Sequence, residues 1–294
     1  MSILNTRISL DLFGLDIPRL QFDEIVMNGA NLNLGVNGFY QINNTFGVQA
    51  DLSIGYLSEE TISDKDDIYR MPHSFSAGVF ILPIKKVKSK MTKVILKSTS
   101  KDVGNTRYTL TKSLNVIAKH KTQYGLRAGL YAYRTPFTFD EADNTPKING
   151  LVNAELESSN FSHQGIYAGI QIRKMVNIVL KTDLYGEVGK GACIDYFLDV
   201  MLPANSNWRL GTDKELTLDG DKYNNKDNIS TLLKGTDLTK GSPIGGRFGF
   251  LLTDPALYSE GGHKRGMSTL FEIGYRPWTK WYTKVTLGIQ LYKR

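Results

Sequence analysis

From residue 32 the chain alternates apolar and polar side chains for longer than a water-soluble strand usually does. Leu32, Leu34, Val36, Gly38 and Tyr40 fall on one face of an extended chain. Asn31, Asn33, Gly35, Asn37 and Gln41 fall on the other, with Phe39 as the exception. After Asn43-Asn44-Thr45 the pattern resumes: Phe46, Val48, Ala50, Leu52, Ile54 and Tyr56 oppose Gly47, Gln49, Asp51, Ser53 and Gly55. Successive side chains on a strand point to opposite faces, so each strand has one apolar and one polar wall. An apolar wall of about ten residues that ends in aromatics, backed by Asn, Gln, Asp and Gly, predicts a membrane-crossing barrel hairpin.

Further segments repeat the pattern. They are 73–82, 92–98, 107–119, 123–133, 164–172, 176–184, 195–202, 247–252, 268–275 and 281–291. In 123–133, for example, Tyr124, Leu126, Ala128, Leu130 and Ala132 oppose Gln123, Gly125, Arg127 and Gly129. With the weaker stretches 2–12 and 150–158 the expectation is an all-β, closed antiparallel transmembrane barrel of about 14 strands, an even number. Such parity puts both termini on one side. The longest connection, 203–244, then falls on the other, with 58–72 and 134–149 as further polar loops. The whole of 1–294 reads as a single barrel domain. No helical i, i+3, i+4, i+7 stripe is sustained outside a short stretch near Asp11–Val26.

Composition narrows the options. No run of about 18 apolar residues exists, so no transmembrane helix is expected. The 28 glycines and 15 tyrosines against 9 prolines suit strands meeting in turns. One cysteine, Cys193, excludes an internal disulfide framework and any multi-cysteine zinc site. The net charge of +7 is compatible with nucleic acid, anionic lipid or an anion-attracting lumen. Met1-Ser-Ile-Leu-Asn lacks the basic and apolar regions of a secretory signal. An outer-membrane location therefore takes this numbering as that of a mature chain.

Charges on the polar walls are the lumen-lining candidates: Asp51, Lys93, Lys97, Arg127, Lys181, Asp183, Asp195, Asp199, Arg247, Glu272 and Lys284. Such residues either line an aqueous path and set its ion preference or pair across strands and close a narrow barrel. Tyr40, Phe46, Tyr56, Tyr124, Tyr275, Trp278 and Trp281 are expected at the membrane interfaces, where a ring sits among acyl chains and its polar atom reaches headgroups. The run Lys85, Lys86, Lys88, Lys90, Lys93, Lys97 has no interleaved aromatic rings. It reads as a solvated turn or one touching anionic headgroups, and no nucleic-acid partner is expected.

Catalytic patterns are missing. His73, His120, His163 and His263 have no ligand spacing, no G-x-S-x-G elbow occurs, and Gly186–Gly191 has glycine where a P-loop needs Ser or Thr. The acidic, Asn-rich stretch from Asp213 to Asp227 lacks the spacing and bidentate Glu of a calcium loop. No enzyme and no cofactor are expected.

The hairpin Tyr40–Asp51 and the ending Phe271–Trp278 with Val285–Tyr292 resemble outer-membrane β-barrel proteins of the Bacteroidota type. That resemblance implies a small porin, a transporter of hydrophobic substrates, or an accessory barrel beside larger transport or secretion machinery. Its partners would be the lipid bilayer and other outer-membrane proteins. Thr286-Leu-Gly288-Ile289-Gln-Leu291 also resembles the sorting signal of mitochondrial barrels, which implies a mitochondrial-type porin. A soluble all-β binding protein is a further alternative.

Overall fold

The structure is a computed structural model that describes residues 6–21, 26–27, 31–58, 73–104, 106–138, 158–210, 216–218, 221–223, 242–253, 258–259, 262–263, 266–277 and 280–293. Ten strands follow one another as an antiparallel meander: β1 (Thr6–Gln21), β2 (Asn31–Gln41), β3 (Phe46–Ser58), β4 (His73–Val103), β5 (Thr106–Thr138), β6 (Ser158–Thr182), β7 (Gly186–Leu210), β8 (Gly245–Thr253), β9 (Met267–Arg276) and β10 (Lys280–Lys293). The ring closes because β1 pairs with β2 on one edge and with β10 on the other; Leu10, for instance, lies between Val36 and Ile289. An eleventh short strand, Val26–Met27, adds to the end of β1. Closure removes the unpaired edges that an open sheet would expose.

The strand count differs from the expected 14, and the differences have local causes. Segments 73–82 and 92–98 belong to one strand, β4, of 31 residues. Its ladder with β5 skips from Ile81 to Ile84, so Leu82-Pro83 forms a bulge that reverses which face later residues take. The lysine run beyond it is strand, not turn. In β5, His120-Lys121-Thr122-Gln123 interrupts the apolar pattern without interrupting the ladder, and Arg173-Lys174-Met175 does the same in β6. Of the stretch 2–12, residues 2–5 lie outside the described residues, and 6–12 belong to β1, which runs on to Gln21. Its ladder with β10 skips from Ile17 to Leu20 across Pro18, which has no N–H to donate. Of 150–158 only Ser158 lies within the described residues. Residues 203–210 continue β7, so the long connection begins at 211, and Gly186–Gly191 starts β7 instead of forming a loop.

Inside and outside are reversed relative to a soluble protein. Asp11, Asn33, Asn37, Gln41, Gln123, Arg127, Gln171 and Asp199 are buried within the ring. Leu52, Ile170 and Leu287 face outward, at 41%, 49% and 43% exposed, and do not meet in a shared interior. Tyr196, Phe250 and Phe271 form a further outward row, with ring centroids 6.3 and 5.6 Å apart.

Four strands outrun the ring. β4 spans roughly 100 Å if fully extended, at about 3.3 Å per residue. Past Ile81 the β4–β5 hairpin leaves β3 behind, and past Met175 the β6–β7 hairpin leaves β8 behind. Both project from the end of the barrel that carries the chain termini. Val94, Val116 and Ala118 of one hairpin pack on Val176, Ile178, Leu180 and Val188 of the other, giving the projection a small dry core of its own.

Candidate functional site

The register builds the interior row by row. Arg127, Gly169, Asp199 and Arg247 are successive partners across β5, β6, β7 and β8. Gly169 has no side chain to block the row; a Cβ there would sit 2.4 Å from Asp199 Oδ1. The Arg127 guanidinium therefore reaches across it and donates through Nη2 to Asp199 Oδ2 at 2.9 Å. From the other side Arg247 Nε donates to the same oxygen at 2.7 Å. Arg247 also lies 3.7 Å from Glu272, which accepts a short hydrogen bond from the Tyr282 hydroxyl.

Aromatic faces complete the row. The Arg127 guanidinium lies 4.1 Å from the Phe197 ring centroid, and that of Arg247 lies 4.6 Å from Tyr167. Arg276 lies 4.0 Å from Tyr282. A guanidinium can stack on a ring while its edge donates to a carboxylate, so both needs of a buried arginine are met together. Across the barrel Lys284 Nζ donates to Asp51 Oδ1 at 2.9 Å, joining β10 to β3, and Asn37 Nδ2 bridges both oxygens of Asp11 at 2.7 and 2.8 Å.

Toward the termini the interior ends in a floor. Arg173 grips Asp195 with Nε–Oδ1 at 2.6 Å and Nη2–Oδ2 at 3.3 Å, a bidentate pair. Its other side lies 4.3 and 4.8 Å from the rings of Phe39 and Phe80, which with Leu82 are buried. The turn after β2 seals this level: Asn43 Oδ1 accepts from the Thr45 and Phe46 amides, and the Asn44 carbonyl accepts from Gln123 Nε2. Toward the opposite end His163 bonds Tyr131 Oη at 2.8 Å and Ser206 Oγ at 2.6 Å, and the Tyr133 hydroxyl donates to the Pro277 carbonyl.

Between these levels a cavity of about 100 Å³ remains, with Asp51, Arg127, Phe197, Glu272 and Lys284 on its wall. That is space for several water molecules. Asp199 Oδ1, Arg127 Nε and Arg247 Nη2 have no protein hydrogen-bond partner among the described residues.

The expected lumen residues divide into two groups. Arg127, Asp195, Asp199, Arg247, Glu272 and Lys284 are buried inside the ring, with Asp51 half-buried beside them. Lys93, Lys97, Lys181 and Asp183 lie outside the ring, exposed on the projecting hairpins, because β4 and β6 continue past the barrel's end. Among the expected interface aromatics, Tyr40, Phe46 and Tyr124 stand near the termini end and Tyr275 and Trp281 near the other. Tyr56 lies in β3 with its side chain outside the described residues, and Trp278 lies outside them altogether. Beyond the first set, Lys86 stands 5.5 Å from the Tyr124 ring and Lys174 stands 5.0 Å from that of Tyr196.

Sequence reasoning missed Arg173, Arg276 and the interior rings. The usable signal was an aromatic on the polar wall: Phe39 breaks that wall in β2, and Tyr167 and Tyr282 occupy it in β6 and β10. Each of the three receives a guanidinium. No family model matches the chain, and no curated protein matches it.

Proposed function

We propose that the chain is a closed, non-conducting outer-membrane barrel that serves as an accessory subunit, holding its two projecting hairpins at the membrane surface for a larger assembly. The observation that carries this reading is the filled interior. Asp199 bridges two buried guanidiniums at mid-barrel, Glu272 lies beside the second, and Arg173 with Phe39 and Phe80 occupies the floor.

Outward apolar side chains support the membrane location, since a closed ring offers them no second sheet to pack on. Strands β2, β8 and β9 have 11, 9 and 10 residues, close to the 9–11 that a tilted strand needs to cross a bilayer. Tyrosines at one rim, with Lys86 and Lys174 just beyond, match a ring-and-cation arrangement at headgroup level. An even number of strands favours the bacterial reading over a mitochondrial porin. In that setting the termini and both hairpins face the periplasm.

Planar bilayers test the closed state. Purified protein that inserts, as judged by protection from protease in liposomes, is expected to give no discrete current steps. Regular steps of uniform size would overturn the closed barrel and restore the pore.

A further inference from the structure

We propose that the far end of the β4–β5 ribbon is a docking surface for an extended, acidic and apolar segment of a partner protein, which adds as a strand along the free edge of β4. The proposal deepens the accessory reading and rests on it for the partner, yet the two fail separately. Current steps would remove the closed barrel and leave the ribbon untouched.

The backbone supplies the first reason. β4 pairs with β3 only from His73 to Ile81, and from Ile84 to Val103 it pairs with β5 alone. Its other row of peptide groups has no strand beside it among the described residues. An exposed row of this kind is a template for strand addition. Two-stranded ribbons with neither face covered are marginal in water, so the last rungs, Ile95–Ser113 to Val103–Thr106, gain most from a third strand.

The second reason is an interface that stops short. The β6–β7 hairpin turns at 183–185, so its apolar side chains cover Val94, Val116 and Ala118 and go no further. On β5 the same face continues through Leu114, Leu110 and Tyr108, which are 47%, 73% and 56% exposed. Lys112 stands on the same face between Leu114 and Leu110, so the uncovered stretch is apolar and basic together.

Charge selects the partner's chemistry. Residues 84–121 hold ten lysines and one arginine against a single aspartate, a net +10 in a chain whose total is +7. Lys97 and Lys101 on β4 and Lys112 on β5 stand on this same face, paired in register with Lys112, Tyr108 and Lys97 respectively. A second copy is a poor occupant, because two lysine-rich edges repel; lysine on an edge strand is a usual guard against self-pairing. Lipid headgroups are also a poor fit for this part of the ribbon. Lys101 stands roughly 50 Å along the strand from Lys86 at the rim. A strand added at the β4 edge with its acidic residues on this face sets them beside Lys97 and Lys101, and so satisfies both the edge and the charge.

The test uses the full-length protein in neutral-lipid nanodiscs and a fluorescein-labelled twelve-residue peptide of alternating Glu and Val. Fluorescence anisotropy is expected to show saturable binding that weakens as salt rises and falls at least tenfold in the Lys97→Glu/Lys101→Glu double variant. The same peptide N-methylated at alternate amides keeps its charges but cannot pair along an edge, and is expected to lose binding to the unaltered protein. This last comparison needs no substitution in the barrel. Absence of saturable binding, or equal binding of the N-methylated peptide, would overturn strand addition. Preferential binding of phosphatidylglycerol vesicles or of an oligothymidylate over the peptide would overturn the protein partner.

Discussion

Asp199→Asn is expected to destabilise the folded barrel by about 3–5 kcal/mol, the usual loss when one partner of a buried ion pair is removed. The substitution keeps the shape of the side chain and takes away its charge. Arg127 and Arg247 then face one another inside the ring with no shared carboxylate. Glu272 stays within 3.7 Å of Arg247. Both guanidiniums are almost wholly buried, so solvent does little to screen them. The checking measurement is a urea titration in detergent, followed by the shift between compact and unfolded bands on unheated gels. Adding Arg127→Met should recover part of the loss, because it removes the cation that the first change stranded. Equal stability of Asp199→Asn and the parent would show that the row carries no buried charge. Asp51→Asn, at a half-buried pair, should have a smaller effect.

Ile170→Arg is expected to destabilise the barrel in a bilayer by about 2–4 kcal/mol, the range for arginine on a lipid-facing strand near mid-depth. Ile170 is 49% exposed and sits between Leu126 and Leu198 on the outer wall. In water an arginine at so exposed a position would be nearly neutral. The sign of the result therefore reports which solvent the outer wall meets. Folding yield into liposomes against urea reads the loss, and Ile170→Leu serves as the apolar comparison. A neutral Ile170→Arg would place this wall in water.

Legibility in the sequence followed the apolar wall. The β2–β3 hairpin was readable in full, because its alternation is nearly unbroken and Asn43-Asn44-Thr45 carries a turn that the Asn43 side chain caps. Strand ends were not. Polar residues at His120–Gln123 and Arg173–Met175 mark where strands leave the apolar belt, and by composition alone such a change of surroundings looks the same as a turn. The bulge at Leu82-Pro83 compounds this, since one added residue exchanges the two faces. Lys93 and Lys97 fall outside the expected lumen because β4 runs on past the end of the ring.

The interior was half readable. Position on the polar wall was enough to place Asp195, Asp199, Arg127, Arg247 and Glu272 inside. Pairing was not, because Lys284 and Asp51 stand 233 residues apart and meet only when the ring closes. Nor could the sequence show that Gly169 opens a path for Arg127. That depends on the register of three neighbouring strands, which no local pattern records.

The proposed function requires the outer wall of the ring to meet acyl chains. Nitroxide labels placed singly at Leu52, Ile170 and Leu287, in a Cys193→Ser background reconstituted into liposomes, test it most directly. Dissolved oxygen is expected to relax all three labels, and a water-soluble nickel chelate is expected not to. Relaxation by nickel at these positions, or protection from both reagents, would contradict it.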